Sequence, residues 1–268
     1  MAIAMNISPK SQGELDHEDQ APVRMTLIEE YCGIITGMLE KLVSTQRDRL
    51  ATAQDWVADA LAADGLVYVT GSGHSHMIAE EVFYRAGGAA AVQAILDPAL
   101  MLHQGAHRST VLERLEGYAE TVLEDYPIGP RDVLFVASNS GRNAFPIEAA
   151  LFARQRGAKV VAITSSDHAS HVSSRHKSGK MLHDVADLVI DNQAPYGDAC
   201  LAIPNSEKRM GSTSTISGSF IINAVMAEAV ANLGRRGIAV DIYRSANSGG
   251  GAEAEEIVRR WRPRIRGL

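Results

Sequence analysis

The stretch DVLFVASNSGRNAFPIEAALFARQRGAKVVAIT, residues 132–164, contains a complete strand–helix–strand pattern. Residues 133–137 and 159–164 are short and almost continuously apolar, and the segment 143–156 between them has apolar residues at helical spacing. Nearly continuous apolar strands that alternate with helices are typical of a parallel sheet that is covered on both faces. The stretch therefore predicts an α/β fold.

Other segments of the chain extend the same alternation. Four further apolar runs, each predicted as a strand, are residues 66–70, 91–96, 188–191 and 199–203. Helical patterns lie at residues 75–86 and 109–123, and a long apolar helix is predicted at about 213–233. Two amphipathic helices, at about 25–42 and 50–61, precede the first strand, and they cover either the domain's own core or a subunit interface.

The chain divides into three predicted parts. Residues 1–24 are expected to be a flexible tail because they show no apolar periodicity. Residues 25–245 form one domain that includes the N-terminal helices, and residues 246–268 form a loop and a basic helix. The last ten residues hold five arginines that are expected on a solvated helix face: Arg259, Arg260, Arg262, Arg264 and Arg266.

Composition excludes several classes of protein. A net charge of −6 argues against a nucleic-acid partner, which would require a basic face. The two cysteines, Cys32 and Cys200, are far apart and form no CxxC pair, so we expect neither a disulfide framework nor a thiolate metal site. The N-terminal residues lack the pattern of a secretory signal, and no run reaches about 18 apolar residues. We therefore expect a cytoplasmic protein without a membrane partner.

Two predicted strands are followed by turns of glycine and small polar residues, GSGHSH at 71–76 and SNSGRN at 138–143, and each turn opens a helix. Glycine lets the backbone approach a ligand closely, and free N–H groups at a helix start favour an anion. At the switch point of a doubly wound sheet, neighbouring strand ends face one crevice. The turns therefore predict a shared phosphate site, with ordinary helix capping as the alternative.

The ligand of this predicted site is expected to be a small phosphorylated metabolite. The first turn lacks the third glycine of a dinucleotide fingerprint, and no Gly-Lys-Ser/Thr follows it as in a P-loop. Nucleotide binding is therefore disfavoured.

The segments VYVTGSGHSHMIAEE (67–81) and 132–164 resemble the two hallmark motifs of SIS (sugar isomerase) domains. The resemblance covers about residues 25–235, and it is greatest to a branch that is similar to phosphoheptose isomerases. It implies a three-layer αβα sandwich with a five-stranded parallel, flavodoxin-like sheet, which binds phosphosugars as a homodimer or homotetramer. The residues that it implies for phosphate binding are Gly73, Ser75, Ser138, Asn139, Ser140 and Asn143.

A further segment, SEKRMGSTSTISGSFIINAVMAEA (206–229), is similar to a segment of N-acetylmuramic acid 6-phosphate etherases in the same superfamily. This similarity implies that Ser212 and Thr213 contact substrate and places Glu207 nearby. The chain departs from the family at one position, because Arg85 stands where phosphoheptose isomerases and etherases carry a catalytic glutamate.

Three residues are candidate acid–base groups, since aldose–ketose isomerisation needs a proton acceptor next to a carbonyl. Glu81 lies on the helix after the first turn, and we prefer it to Glu80, which points about 100° away. Glu207 lies at the same sheet edge if the strand ending at Ile203 is parallel. His76 of the first turn is the third candidate. A solvated or capping role is the alternative for each glutamate.

The histidines and the basic segment SSDHASHVSSRHKSGK (165–180) allow two further hypotheses. His103 and His107 would lie one turn apart if their segment is helical, which would suit a divalent metal. We nevertheless expect no cofactor. The segment 165–180 could close over an anionic sugar as a lid, with positive charge from Arg175, Lys177 and Lys180.

The function predicted from sequence is that of an aldose–ketose phosphosugar isomerase that uses a carboxylate base. A phosphosugar lyase or etherase and a phosphosugar-binding sensor without turnover are the alternatives.

Overall fold

The computed structural model describes residues 26–268, and the tail predicted at 1–24 lies outside the described residues. Its central sheet has five strands: β1 (Val67–Gly71), β2 (Val92–Ile95), β3 (Val133–Ala137), β4 (Lys159–Thr164) and β5 (Leu188–Asp191). All neighbouring pairs are parallel, in the order β2-β1-β3-β4-β5. This is the flavodoxin-like order of a doubly wound sheet. The predicted α/β fold class is confirmed.

Helices cover both faces of this sheet. They are α1 (Leu27–Thr45), α2 (Arg47–Ala62), α3 (His76–Val82), α4 (Ala106–Leu112), α5 (Tyr118–Leu123), α6 (Ala144–Gln155), α7 (Ser166–Ser170), α8 (Leu182–Val185), α9 (Ser214–Arg235) and α10 (Gly251–Trp261). Successive strand side chains point to opposite faces. In β3, Phe135 packs into the core under α2, α3 and α9, whereas Leu134 and Val136 pack under α5, α6 and α8.

The N-terminal helices form the expected hairpin, and α2 covers the core. A capping box begins α1, because Glu29 N donates to Thr26 Oγ1 and Thr26 N donates to a Glu29 oxygen. Val57 of α2 is fully buried against α9, whereas Ile28 of α1 remains 81% exposed. The hairpin therefore contributes to the domain's own core through α2, while part of α1 faces outward.

The sixth predicted strand, at 199–203, does not join the sheet, and this prediction was wrong. Its central residues form β6 (Leu201–Ala202), which pairs antiparallel with β7 (Arg209–Met210) in a separate hairpin. Cys200 N donates to Gly211 O, and the Arg209 guanidinium donates to the carbonyls of Ala199 and Cys200, so local bonds satisfy this backbone. The run is therefore held outside the sheet.

Two predicted helices also differ from the structure. The helix predicted at 109–123 is divided into α4 and α5, because Gly117 adopts a left-handed conformation with φ of 82°. The helix predicted at 75–86 ends at Val82, where Phe83 becomes extended. Of the described helices, α9 alone has the length and apolarity that a membrane span needs, and 44% of its most apolar stretch is buried in the protein. Core helices of soluble proteins have the same composition.

The five C-terminal arginines are all exposed, as predicted, and several of them also pair with acidic residues of the domain. They do not share one helix face, because α10 ends at Trp261 before the last three of them. Arg260 lies 2.8 Å from Asp241, and Arg264 lies 2.6 Å from Asp64. The backbone of Arg266 also exchanges hydrogen bonds with the buried amide of Gln93 on β2. Residues beyond α10 are thus attached to the sheet edge.

Candidate functional site

The two polar turns lie side by side at the carboxyl edge of the sheet. Gly71 at the end of β1 pairs directly with Ala137 at the end of β3, which is where the strand order reverses. Both turns face one cleft, as predicted. The lining residues are Ser75, Ile78, Ser138, Asn139, Ile163, Asn192, Ser214 and Thr215. The cleft is therefore built from both turns, the carboxyl edge of the sheet and the start of α9.

Free hydroxyl groups point to a polar ligand in this cleft. The hydroxyls of Ser75 and Thr215 make no hydrogen bond to any residue between 26 and 268, and the same holds for Ser140 in the second turn. The cavity volume is only about 10 Å³, which corresponds to about one water molecule. A phosphate group would therefore have to widen the cleft by moving one of its walls.

The first turn has its shape because of a glycine and several backbone hydrogen bonds. A Cβ at Gly71 would lie 2.6 Å from the Ser75 carbonyl group, so a side chain does not fit there. Gly73 has φ of 57°, and its N–H donates to Leu100 O at 2.9 Å. His76 is buried, its Nδ1 contacts Gly73 O, and its Nε2 lies 3.6 Å from Glu80. These contacts hold the turn against the sheet edge.

The second turn is held by bonds to the neighbouring strands. The Ser138 hydroxyl accepts from Gly141 N at 3.2 Å. The Asn139 carbonyl accepts from Ser165 N after β4, and its side-chain oxygen accepts from Asn192 Nδ2 after β5, both at 3.0 Å. The conformation of the turn is therefore set by three strand ends.

A residue that the sequence analysis missed connects the two turns. Glu113, at the end of α4, accepts from Ser72 Oγ at 2.7 Å and from Asn143 Nδ2 at 2.8 Å. Burial raises the pKa of this carboxyl group, although the bond from Ser72 and the charges of Arg114 and Arg175 oppose the rise. Within the predicted helix 109–123 Glu113 belongs to no motif, so the sequence contained no signal for this role.

The structure places the predicted acid residues away from the cleft. Glu81 pairs with Arg85 at 2.5 Å and accepts from Asn223 of α9 at 2.9 Å. Glu207 is exposed in the turn between β6 and β7, because the strand that was to carry it to the sheet edge is not part of the sheet. Neither carboxylate lines the cleft between the two turns.

The predicted substrate residues before α9 lie at the start of that helix. Thr213 is buried, and both its N–H and its hydroxyl donate to Asp198 Oδ1, at 2.9 and 3.1 Å. Ser214 N and Oγ also donate to Asp198, at 2.9 and 2.5 Å. Ser212 is exposed, and its carbonyl accepts from Tyr31. A carboxylate of the chain itself therefore caps α9.

The structure contradicts the hypothesis of a histidine pair on one helix, and it places the basic segment 165–180 against the second turn. His103 and His107 are both exposed, and they do not share a helix. His103 lies in a short 3₁₀ turn that ends at Gln104, and His107 lies in α4, which begins after Gly105 with φ of 135°. The segment 165–180 packs on the second turn. Arg175 N donates to Arg142 O at 2.8 Å, and Arg175 Nη1 donates to Asn143 Oδ1 at 3.0 Å.

An open parallel sheet with paired polar turns at its switch point defines a doubly wound α/β protein with a polar cleft at the carboxyl edge. A family model described as "SIS domain" matches residues 30–165. The chain belongs to the SIS domain family, so the resemblance noted in the sequence is confirmed.

Curated relatives cover nearly the whole described chain. The UPF0309 protein GK1441 of Geobacillus kaustophilus is 46% identical over 235 residues, which are 88% of this chain and 92% of the relative. The UPF0309 protein TTE0306 of Caldanaerobacter subterraneus is 38% identical over 246 residues, which are 90% of this chain and 100% of the relative.

Two solved structures share the fold. Phosphoheptose isomerase GmhA from Neisseria gonorrhoeae aligns with a TM-score of 0.50 and 18% identity, over 77% of this chain and 100% of that chain. The protein c3406 of E. coli CFT073 aligns with a TM-score of 0.50 and 16% identity, over 78% of this chain and 90% of that chain.

Proposed function

We propose that this SIS domain protein binds a phosphosugar, with the phosphate group between its two polar turns, and that it isomerises the sugar between aldose and ketose forms. One observation carries the proposal. The turns after β1 and β3 line the same cleft, and two of its lining residues, Ser75 and Thr215, have hydroxyls that make no hydrogen bond to described residues. Hydroxyl and backbone N–H groups recognise a phosphate without adding charge to the protein.

The residues proposed for substrate binding fall into three groups by their contacts. Ser75 and Ser140 have hydroxyls without a hydrogen bond to described residues and are the most direct ligands, whereas the N–H of Gly73 already donates to Leu100 O, so Gly73 shapes the first turn. Ser138, Asn139 and Asn143 already hold the second turn, so they shape the site as well as bind. Ser212 and Thr213 lie at the capped start of α9, and the Thr213 hydroxyl would have to leave Asp198 to reach substrate.

The isomerase proposal needs a proton acceptor. Glu81, Glu207 and His76 remain the candidates from sequence, and the structure adds Glu113 as the carboxylate in contact with both turns. Burial raises the pKa of the Glu113 carboxyl group, which makes its carboxylate a stronger base and favours a role in proton transfer. A positioned carboxylate next to bound sugar is what this chemistry requires.

Binding is tested with the Ser75→Ala and Ser140→Ala variants. Each should weaken the affinity for its sugar phosphate by about 1.5–3 kcal/mol, which is one hydrogen bond to a charged group. Ser44→Ala is the matched control, because Ser44 lies on the exposed side of α1 and its hydroxyl donates to Lys41 O within the same helix. Calorimetry with a panel of hexose, heptose and amino-sugar phosphates measures the effect. Unchanged affinity in the double variant would remove the site assignment.

Turnover is tested separately by NMR with the same panel at high protein concentration. The base is identified by the variant that loses isomerisation, among Glu113→Gln, Glu81→Gln and Glu207→Gln. Lactate release from a lactyl-ether sugar phosphate would instead support the etherase alternative, which the segment 206–229 motivates.

A sensor without turnover is the second candidate function. The position of Glu81 and Glu207 outside the cleft favours it. Thermal stabilisation by a sugar phosphate with no chemical change would support the sensor, and a ligand at 100 times its Kd should add about 2.7 kcal/mol.

We also propose that the protein is a cytoplasmic homodimer or homotetramer. Its α1 exposes apolar side chains, Leu27 and Ile28 among them, and such groups are commonly covered in assemblies. Light scattering after gel filtration measures the assembly, and a monomer would contradict this part of the proposal.

A further inference from the structure

A cluster of possible metal ligands lies beside the second turn, outside the cleft. Glu116 comes from the link between α4 and α5, Glu148 from α6 and His176 from the segment 165–180. One oxygen of each carboxylate and one nitrogen of the imidazole all lie within 4.8 Å of one another. Three separate parts of the chain therefore converge on one point.

The imidazole of His176 is buried and directed at the carboxylates. Its side chain is 5% exposed, and Nε2 lies 3.4 Å from Glu148 Oε1, which is longer than a normal hydrogen bond. On the other side of the ring, Nδ1 lies 2.8 Å from Ser178 Oγ and 3.3 Å from the donor Ser178 N. Metal binding at Nε2 selects the tautomer in which Nδ1–H donates to the Ser178 hydroxyl instead of accepting from Ser178 N, and the Nε2 lone pair then faces two carboxylates. This orientation is favourable if a cation lies between the imidazole and the two carboxylates. A metal-binding histidine is usually oriented by a hydrogen bond of this kind from its other ring nitrogen.

Backbone N–H groups orient both carboxylates. Gly117 N donates to both oxygens of Glu148 at 2.9 Å, and Lys177 N donates to Glu116 Oε1 at 2.7 Å. The Lys177 ammonium group also lies 3.1 Å from Glu116 Oε2, but its side chain is 75% exposed. A metal ion could displace it into solvent at little cost.

We propose that Glu116, Glu148 and His176 bind a divalent transition-metal ion, with Zn²⁺ as the representative probe. One imidazole nitrogen and two carboxylate oxygens form a ligand set that suits Zn²⁺ and its neighbours better than Mg²⁺ or Ca²⁺. The two negative charges balance the ion, and the partly exposed Glu116 side leaves room for water to complete the coordination.

Metal binding would fix the segment 165–180 to α6 and to the link before α5. Arg175 precedes His176 in sequence and donates to Asn143 Oδ1 in the second turn. The ion would therefore hold this arginine in place beside the proposed phosphate site, at a position where it does not itself contact the cleft.

Calorimetric titration of the chelator-treated full-length protein with Zn²⁺ tests the proposal without any sugar ligand, so its failure is distinguishable from failure of the proposed function. We expect one equivalent to bind, with affinity lowered at least about 10-fold in His176→Ala and Glu148→Gln. Glu116→Gln, at a more exposed position, should show the same direction of change. Lys177→Ala should bind Zn²⁺ at least as tightly as the unaltered protein, because it removes a competing charge.

His183→Ala is the matched control, since His183 is exposed and lies beside Asp184 rather than in the cluster. Circular dichroism melting establishes that each variant is folded. No stoichiometric binding by the unaltered protein would overturn the proposal, and so would equal Zn²⁺ affinity in the unaltered, Glu116→Gln and His176→Ala proteins.

Discussion

Replacing Glu113 should separate its hydrogen-bonding role from its charge. Glu113→Ala removes the acceptor of Ser72 Oγ and of Asn143 Nδ2, and both of those residues are buried. Each hydrogen bond to a charged group contributes about 1.5–3 kcal/mol to the free energy of unfolding. Removing the carboxylate also removes the cost of burying its charge, which offsets part of the loss of the two hydrogen bonds. We expect a net destabilisation of about 2–3 kcal/mol, which corresponds to about 4–12 °C in Tm.

Glu113→Gln keeps the geometry and removes the charge. Its amide oxygen can accept from Asn143, and its amide nitrogen can donate to the Ser72 hydroxyl, which both donates and accepts. The pKa of Glu113 is raised in the folded protein by burial. Its carboxylate therefore destabilises folding increasingly as pH rises from its ordinary pKa through the raised one, and then the effect levels off.

The free energy of unfolding of each variant is measured by urea denaturation at several pH values. The difference between Glu113→Gln and the unaltered protein cancels the titration of other groups. We expect the Gln variant to gain relative stability with rising pH in that window and to remain within about 1 kcal/mol of the unaltered protein at pH 7. A flat difference, or a Glu113→Ala variant within about 0.5 kcal/mol of the unaltered protein, would refute the reasoning.

Two further predictions concern the shape of the site. Gly71→Ala should destabilise the protein by about 2 kcal/mol or more in thermal melting, because a Cβ would lie 2.6 Å from the Ser75 backbone. The control is Gly33→Ala, in open space on α1, which should be neutral or stabilise the protein by up to about 1 kcal/mol. Equal melting temperatures for the two variants would contradict this prediction. Asp198→Ala should cost about 2 kcal/mol in urea denaturation, because it removes the cap of α9 at Thr213, and a loss below about 0.5 kcal/mol would show that α9 does not depend on it.

Three strands could be located from the sequence to the residue. Residues 133–137, 159–164 and 188–191 are β3, β4 and β5 as expected. These runs are apolar because both faces of the sheet are covered, so their pattern follows directly from their environment. The placement of both polar turns followed as well, because parallel strands put their carboxyl ends at one edge.

The run 199–203 shows where such reasoning fails. It has the composition of a buried strand, yet it forms a hairpin that bonds to residues 209–211. An apolar run indicates burial, but it does not indicate which partner provides the backbone hydrogen bonds. The expected position of Glu207 at the sheet edge was lost together with this strand.

The contacts within the candidate site depended on the tertiary structure. Ser72 and Glu113 are 41 residues apart in sequence, and Glu113 and Asn143 are 30 apart. Likewise, the histidine that lies close to two carboxylates is His176. The spacing in the sequence had favoured the pair at 103 and 107 instead.

The sequence by itself determined the α/β class, three of the five strands of the sheet to the residue, and the two turns at the switch point. Apolar periodicity and glycine positions are local properties, and they are encoded wherever an element must be buried or must bend. Only the tertiary structure decided which charged side chains meet across those turns. Such meetings depend on ångström distances between elements that are far apart in the chain, and no local pattern specifies those distances.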